Sequence, residues 1–395
     1  MNRKEFEKGV YWMGAVDWDR RMFDALIPTP EGTSYNSWLM VGRDATVLFD
    51  TVDPAKTDVL LDQLADIEKV DYIVTHHAEQ DHSGSLPAVM ERYPGAIVLC
   101  TPKCARMITR MMPLDESRIR TVADGEELDL GDRRLKFMHM PWIHWPETMV
   151  TWDEKDGILF SCDLFGSHLA TSRLTEPWER IQDGAKRYYA EIMMPFRGKI
   201  AGYLDTIQAL PVKKICPSHG PMYDDPSMIL DAYREWVSGP AMNKVLIPYI
   251  SMHGSTEKMV ATLVSELAAL DVEVVPFNML ETDLGHLAAA SVDAATIILG
   301  SPTLLGGPHP FVASAAGVVG LLRPKTKFVG VIGSYSWGGR MPEQLAAAVS
   351  GLKAEVLPPV IAEGHPDRND LDAIKALAKK IRELHESAGL VAPRV

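Results

Sequence analysis

Short apolar runs separated by turn residues fill the first 240 positions. Gly9 to Trp18, Ser37 to Val41, Ala45 to Phe49, Tyr72 to Thr75 and Ala96 to Cys100 read as strands. So do Leu135 to Met140, Met149 to Trp152 and, after the turn Asp156-Gly157, Ile158 to Ser161. Helical spacing covers Ala55 to Ile67 and Ser85 to Tyr93. Strands with helices outside them predict a layered α/β domain with two sheets inside. From Lys244 the rhythm becomes a regular alternation. Strands are expected at Val245 to Ile250, Val272 to Phe277, Ala295 to Leu299, Phe328 to Ile332 and Ala354 to Leu357. Helices are expected at Thr256 to Leu270, Phe311 to Leu322, Pro342 to Leu352 and Asp370 to Ala388. Short continuous apolar strands crossed by helices predict a doubly wound parallel sheet. The change of pattern falls near Gly239-Pro240, which divides the chain into residues 1–240 and 241–395.

Composition narrows the partners. The 395 residues allow two or three domains at roughly 150 residues each. With 40 Lys and Arg against 53 Asp and Glu, the net charge of -13 offers no field for phosphate backbones, so nucleic acid is not expected. The acidity is uneven: 13 basic and 15 acidic residues follow Ala241, whereas 27 and 38 precede it. A solvated acidic surface accounts for that, and so does a need for carboxylate ligands. Cys100, Cys104, Cys162 and Cys216 form no C-x-x-C pair, which argues against Cys-held zinc, rubredoxin-type iron and iron–sulfur clusters. No cationic leader and no apolar run of about 20 residues is present, so neither export nor a membrane is expected and the cytoplasm is the default compartment.

One string stands out chemically. After the strand at Tyr72 to Thr75 comes His76-His77-Ala78-Glu79-Gln80-Asp81-His82-Ser83-Gly84, with His77, Glu79, Asp81 and His82 as potential ligands at a strand end. His144, between Trp142 and Trp145, Asp163 and His219 each fall on further strand-end loops. The two indoles are placed to keep water from His144. Alone, each of these residues reads as a packed histidine or a turn aspartate; together they supply enough imidazole and carboxylate for two metals. Imidazole suits zinc and iron alike, but three carboxylates without a thiolate make a comparatively hard site that favours iron or manganese over structural zinc.

The H-x-E-x-D-H string with His144, Asp163 and His219 resembles the metallo-β-lactamase-like αββα domain of the flavodiiron proteins, or A-type flavoproteins. The usual hydrolase motif carries His where Glu79 stands. By that resemblance His77, Glu79 and His144 hold one non-haem iron, Asp81 and His219 the other, and Asp163 bridges. His82 joins the set, although the matching position is not a ligand in every member. The likeness extends to Asp17-Trp18-Asp19, to Thr33-Ser34-Tyr35-Asn36-Ser37 and to Lys186-Arg187-Tyr188-Tyr189-Ala190, where Tyr188 is a candidate proton donor.

The second half carries a different constellation. Ser251-Met252-His253-Gly254-Ser255-Thr256 follows a strand and opens a helix, a cradle of small donors for a phosphate at a helix N-terminus, though not a P-loop. The same residues also read as ordinary helix caps. Two more loops follow successive strands: Gly300-Ser301-Pro302-Thr303-Leu304-Leu305-Gly306-Gly307 and Gly333-Ser334-Tyr335-Ser336-Trp337-Gly338-Gly339. In a flavodoxin-like sheet these loops flank the switch point that binds FMN, with Trp337 or Tyr335 to stack on the ring. This half resembles the flavodoxin domain of the same family.

A two-electron flavin and two irons cycling between Fe2+ and Fe3+ hold the four electrons that turn O2 into two waters; joining two NO into N2O takes two. The resemblance therefore implies a soluble O2 and/or NO reductase acting in detoxification. It also implies a head-to-tail homodimer, or a dimer of such dimers, in which FMN of one chain serves iron of the other. With no rubredoxin or flavin-reductase module before Val395, electrons are expected from a separate donor, rubredoxin or reduced coenzyme F420. The competing readings are a zinc-dependent hydrolase fused to a flavodoxin-type module and an electron carrier with a docking domain.

Overall fold

The computed structural model describes residues 2–392. Its contacts divide the chain into two compact units: one runs up to Tyr189 and resumes over Phe196–Val237, and the other combines Ala190–Pro195 with the chain from Ser238 onward.

The first unit is an αββα sandwich. One sheet has seven strands in the order Lys4–Glu7, Val10–Asp17, Thr33–Val41, Thr46–Phe49, Tyr72–Val74, Ile97–Cys100, Ile119–Thr121, antiparallel at first and parallel from Thr46–Phe49 onward. The other has five, Glu127–Asp129, Arg134–His139, Met149–Asp153, Ile158–Cys162 and Lys214–Pro217, the last pair parallel. Their inner faces share one core that includes Val47, Val74, Leu99, Phe137 and Met149, with Phe49 and Phe160 stacked at 4.0 Å. Helices at Thr57–Gln63, Leu86–Arg92, Pro102–Met111, Trp178–Tyr188, Arg197–Gln208 and Ser227–Ser238 complete it.

The strand expected to start at Ser37 starts at Thr33, because its polar residues are satisfied inside the protein. Asn36 accepts from Trp12 Nε1 at 2.9 Å and donates to the carbonyls of Pro217 and Gly220, while Ser34 Oγ accepts from Gly220 N. The helix expected over Ala55 to Ile67 is a 3-10 turn, Pro54–Lys56, followed by only Thr57–Gln63. Its last residue, buried Gln63, turns its amide onto the backbone of Gly14 at 2.7 and 2.8 Å.

The second unit is the doubly wound sheet. Its order is Glu273–Asn278, Met242–Tyr249, Ala294–Leu304, Phe328–Tyr335, then the pair Glu355–Val356 and Val360–Glu363, all parallel. Helices Ser255–Ala269 and Arg368–Ser387 bury Leu263, Leu267, Ile374 and Ile381 on one face. Pro310–Leu322 and Met341–Ala348 bury Val312, Val319 and Leu345 on the other. The stretch Gly300 to Leu304, expected as loop, continues the third strand; Thr303 and Leu304 pair with Gly307–Pro308 around a two-residue turn. Leu305 and Gly306 both adopt positive φ there, 51° and 81°, which matches the twist of a tight hairpin. The helix expected over Pro342 to Leu352 stops at Ala348 and yields to a 3-10 turn, Ser350–Leu352.

Candidate metal centre and cofactor cavity

The strand Tyr72–Val74 delivers the ligand string, and its first histidine anchors it. His76 bonds Asp50 Oδ2 at 2.6 Å and Thr151 Oγ1 at 2.8 Å, bridging one sheet to the other. The next residue turns inward. His77, fully buried, donates from Nδ1 to Glu147 Oε1 at 2.8 Å and presents Nε2 to Glu79 Oε2 at 3.0 Å and Asp163 Oδ2 at 3.6 Å. His144 Nε2 meets the same two oxygens at 3.3 and 3.5 Å. On the other side, His82 Nε2 lies 3.0 Å from Asp163 Oδ1 and 3.3 Å from Asp81 Oδ2, and His219 Nε2 lies 3.0 Å from Asp81 Oδ2. One donor atom each of His77, Glu79, His144 and Asp163 lies within 4.8 Å of the others, as does one each of Asp81, His82 and His219.

All seven sequence candidates are therefore brought together, six of them gathered about Asp163, and the arrangement fits metal cations. Four imidazole nitrogens converge on three carboxylates, and both oxygens of Asp81 and Oδ2 of Asp163 are buried without a hydrogen-bond donor. The field favours positive charge: burial opposes protonation of His144, yet Asp163 and Glu79 raise its pKa to about 10. Burial likewise works to raise the Glu79 carboxyl, but hydrogen bonds from His144 and His77 hold it well below the ordinary range. A third donor group, His82, Cys162 and Asp163, adds a thiol, whose pKa burial pushes well above its usual value.

The surroundings hold residues that sequence reading missed. Glu147 clamps His77 and accepts from Ala78 N at 3.0 Å; a carboxylate behind a liganding imidazole is the one signal that points to it. The Ser34 carbonyl does the same for His219 Nδ1 at 2.7 Å. Buried His168, kept neutral by burial and by His219, bonds Thr33 Oγ1 at 2.9 Å and lies 5.1 Å from the His219 ring. At the tip of the hairpin Met22–Phe23/Ile27–Pro28 stands Asp24, whose pKa rises to about 6 through burial and the charges of Glu79 and Asp81. Tyr188 donates to Asp163 Oδ1 at 3.0 Å. The two indoles divide: Trp145 sets its plane at 88° to His77, 4.8 Å away, whereas Trp142 is 45% exposed and stacks on Phe196. Phe23 packs edge-on to His219 at 5.5 Å, so an aromatic ring that was not expected covers that histidine, while Trp142 does not cover His144.

In the second unit, a cavity of about 520 Å³ opens at the carboxyl ends of the strands, within the usual range for small ligands. Ser251, Met252, His253, Ser255, Thr256, Pro302, Thr303, Leu304, Leu305, Ser334, Tyr335, Ser336 and Trp337 line it, joined by Gly364 and His365, which sequence reading missed because they follow the fifth strand. Gly254, Gly338 and Gly339 shape the loops instead of lining the cavity. Gly254 starts the helix at φ 82° and offers no side-chain cap. A Cβ on Gly339 would lie 2.7 Å from the Gly306 carbonyl oxygen. The cavity fits a phosphorylated aromatic cofactor: buried Thr256 Oγ1 has no partner at the helix N-terminus, and Trp337 is 74% exposed, ready to stack.

An αββα sandwich of the metallo-β-lactamase type followed by a flavodoxin-like sheet defines the fold class of the flavodiiron oxidoreductases. Residues 33–220 match the model of the ODP family beta lactamases. A nitric oxide reductase of Moorella thermoacetica is 38% identical over 94% of this chain and 96% of its own length. The structure is similar to rubredoxin oxygen:oxidoreductase of Desulfovibrio gigas, with a TM-score of 0.94 at 28% identity over 99% and 100% of the two chains. It is also similar to the flavodiiron protein of Giardia intestinalis, with a TM-score of 0.90 at 28% identity over 97% and 96%. The chain belongs to the flavodiiron family of oxidoreductases.

Proposed function

We propose that the protein reduces O2 to water, NO to N2O, or both, at a di-iron site in residues 1–240 fed by FMN held in residues 241–395. The observation that carries this is the seven-donor cluster sharing Asp163, with Glu79 Oε2 between two imidazoles at 3.0 and 3.3 Å. His77, Glu79 and His144 would hold one ion and Asp81, His82 and His219 the other, with Asp163 between them. When bound, two irons and one FMN supply the four electrons that O2 reduction takes. The loops after Tyr249, Leu304 and Tyr335 would hold the flavin, with Thr256 at its phosphate.

The chain's own groups do the rest. Glu147 fixes the His77 ring from behind, so Nε2 faces the ions. Tyr188 keeps its proton, because burial and the charges of Asp163 and Asp81 push the phenol well above its usual value, and its hydroxyl oxygen, 3.0 Å from Asp163 Oδ1, donates that proton in a hydrogen bond. Trp145 and Phe23 exclude water at the two ends of the cluster.

Electrons would come from reduced rubredoxin or reduced F420. The active form would be a head-to-tail homodimer, in the cytoplasm; among the described residues no helix is long and apolar enough to cross a membrane. A monomer at micromolar concentration with full turnover would contradict the dimer. The direct test is the iron, zinc and FMN content of protein purified without oxygen, followed by O2 and NO consumption with reduced donor. Iron with FMN and consumption of either gas sustains the proposal. Zinc in correctly loaded protein, with ester or thioester cleavage, would restore the hydrolase alternative.

A further inference from the structure

His144 differs from the other three histidines of the cluster. His77 is oriented at Nδ1 by Glu147 and His219 by the Ser34 carbonyl, whereas among the described residues the His144 ring makes polar contacts only through Nε2, to Glu79 and Asp163. His82 also lacks a partner at Nδ1, but its side chain is enclosed at 1% exposure, against 16% for His144. An imidazole that no hydrogen bond fixes from behind must be oriented by other means.

The loop that carries it supplies them. Residues 141–146 lie between the strands Arg134–His139 and Met149–Asp153, and Trp142 N donates to the Trp145 carbonyl at 2.6 Å, drawing the ends of the segment around His144 together. Trp142 holds φ 73°, a left-handed conformation that a residue with a Cβ keeps only where its surroundings enforce it. Three outside groups do so. The Phe196 ring stacks on the Trp142 indole at 6.3 Å and 21°, Lys103 Nζ lies 5.6 Å from the Trp142 ring centroid, and Tyr203 Oη donates to the Pro141 carbonyl oxygen at 3.2 Å. Phe196 precedes the helix Arg197–Gln208 and Tyr203 lies within it, so one helix grips the loop at two successive residues just ahead of His144.

We propose that Trp142 is the positioning residue of His144. Clamped by Phe196 and Lys103, it fixes the backbone from which the imidazole reaches Glu79 and Asp163, the part that a hydrogen bond plays for His77 and His219. This rests on the metal reading of the cluster. The half-exposed indole then works through its backbone and its ring stack, and not by shielding the histidine. Asp81 and His82 stand on the short helix Gln80–Ser83 and His219 beyond the strand Lys214–Pro217, so a loosened loop weakens the ion beside His144 and spares the other.

The test uses the full chain stripped of metal, titrated with Fe2+ without oxygen against a chelator, and with Co2+ followed by its visible spectrum. Native protein is expected to take two ions. Trp142→Ala should weaken one of them about tenfold and leave the other unchanged, with loss of the same Co2+ bands that His144→Ala removes. Trp142→Phe, which keeps a ring for Phe196 and Lys103, should restore most of that affinity. Phe196→Leu, which leaves Trp142 in place, should cost about threefold at the same ion, and Lys103→Ala about twofold. Equal losses at both ions, or affinity and spectrum unchanged in Trp142→Ala and in Phe196→Leu, would overturn the proposal. Native protein that takes neither ion would instead overturn the metal reading on which it stands.

Discussion

In the first unit, the candidate ligands are held from behind: Glu147 clamps His77, Ser34 braces His219, and Tyr188 donates to Asp163. In the second unit the wall of the candidate cofactor cavity is made of small hydroxyls, backbone and exposed apolar residues such as Trp337 and Leu305, 74% and 89% exposed. The difference follows from what each must hold. Cations demand donors fixed to within fractions of an ångström in a dry, charged pocket. A planar cofactor with a phosphate tail is recognised by stacking and by N–H groups that the backbone supplies in any case. Damage should therefore be steep and specific in the first unit, shallow and spread out in the second.

The largest effect is expected from Glu79→Ala, which removes the oxygen shared by His77 and His144. It should halve the iron content and abolish gas reduction with FMN retained; full iron stoichiometry would refute the assignment. Glu147→Gln keeps the shape but removes the charge behind His77. Metal affinity should fall roughly 10 to 100-fold, and an unchanged affinity measured against a chelator would show that the clamp is dispensable. Trp337→Ala should weaken FMN by about 1 kcal/mol, or about fivefold, and leave iron untouched. Unaltered flavin binding would sink the stacking role.

A separate effect, on stability and not on binding or activity, concerns pH. In the second unit His385 accepts at Nε2 from Thr296 Oγ1 at 2.7 Å and donates from Nδ1 to Asn243 Oδ1 at 2.8 Å, and burial, aided by Arg382, pulls its pKa down to about 4. An unfolded histidine titrates near 6.5, so between those values the unfolded chain binds the extra proton. Stability of this unit should fall as pH drops through that window and level off below about 4. His385→Gln should flatten the dependence in thermal melts; a native melt insensitive to pH there would contradict it.

The clustering of the candidate donors was legible because four of the seven stand in one dense string at a strand end and the other three on strand-end loops. What held them was not. Glu147 is one of many glutamates until His77 Nδ1 is seen beside it, and Asp24 gains meaning only because a hairpin carries it to Glu79. The doubly wound sheet was legible because buried parallel strands are continuous apolar runs. Thr33 to Asn36 were missed as strand because their polarity masks full burial, and Leu305-Gly306 because a leucine at positive φ has no sequence signature. His365 was missed because it is remote from the phosphate motif in sequence and meets Lys258 only in the fold.

The strand Lys214–Pro217 pairs in parallel with Ile158–Cys162 and delivers His219 just beyond its end. During synthesis, then, the string around His77 emerges long before the last ligand exists. The cluster that gathers on Asp163 is therefore complete only once the strand Lys214–Pro217 has docked beside Ile158–Cys162, so closure of the site and completion of the second sheet are one event.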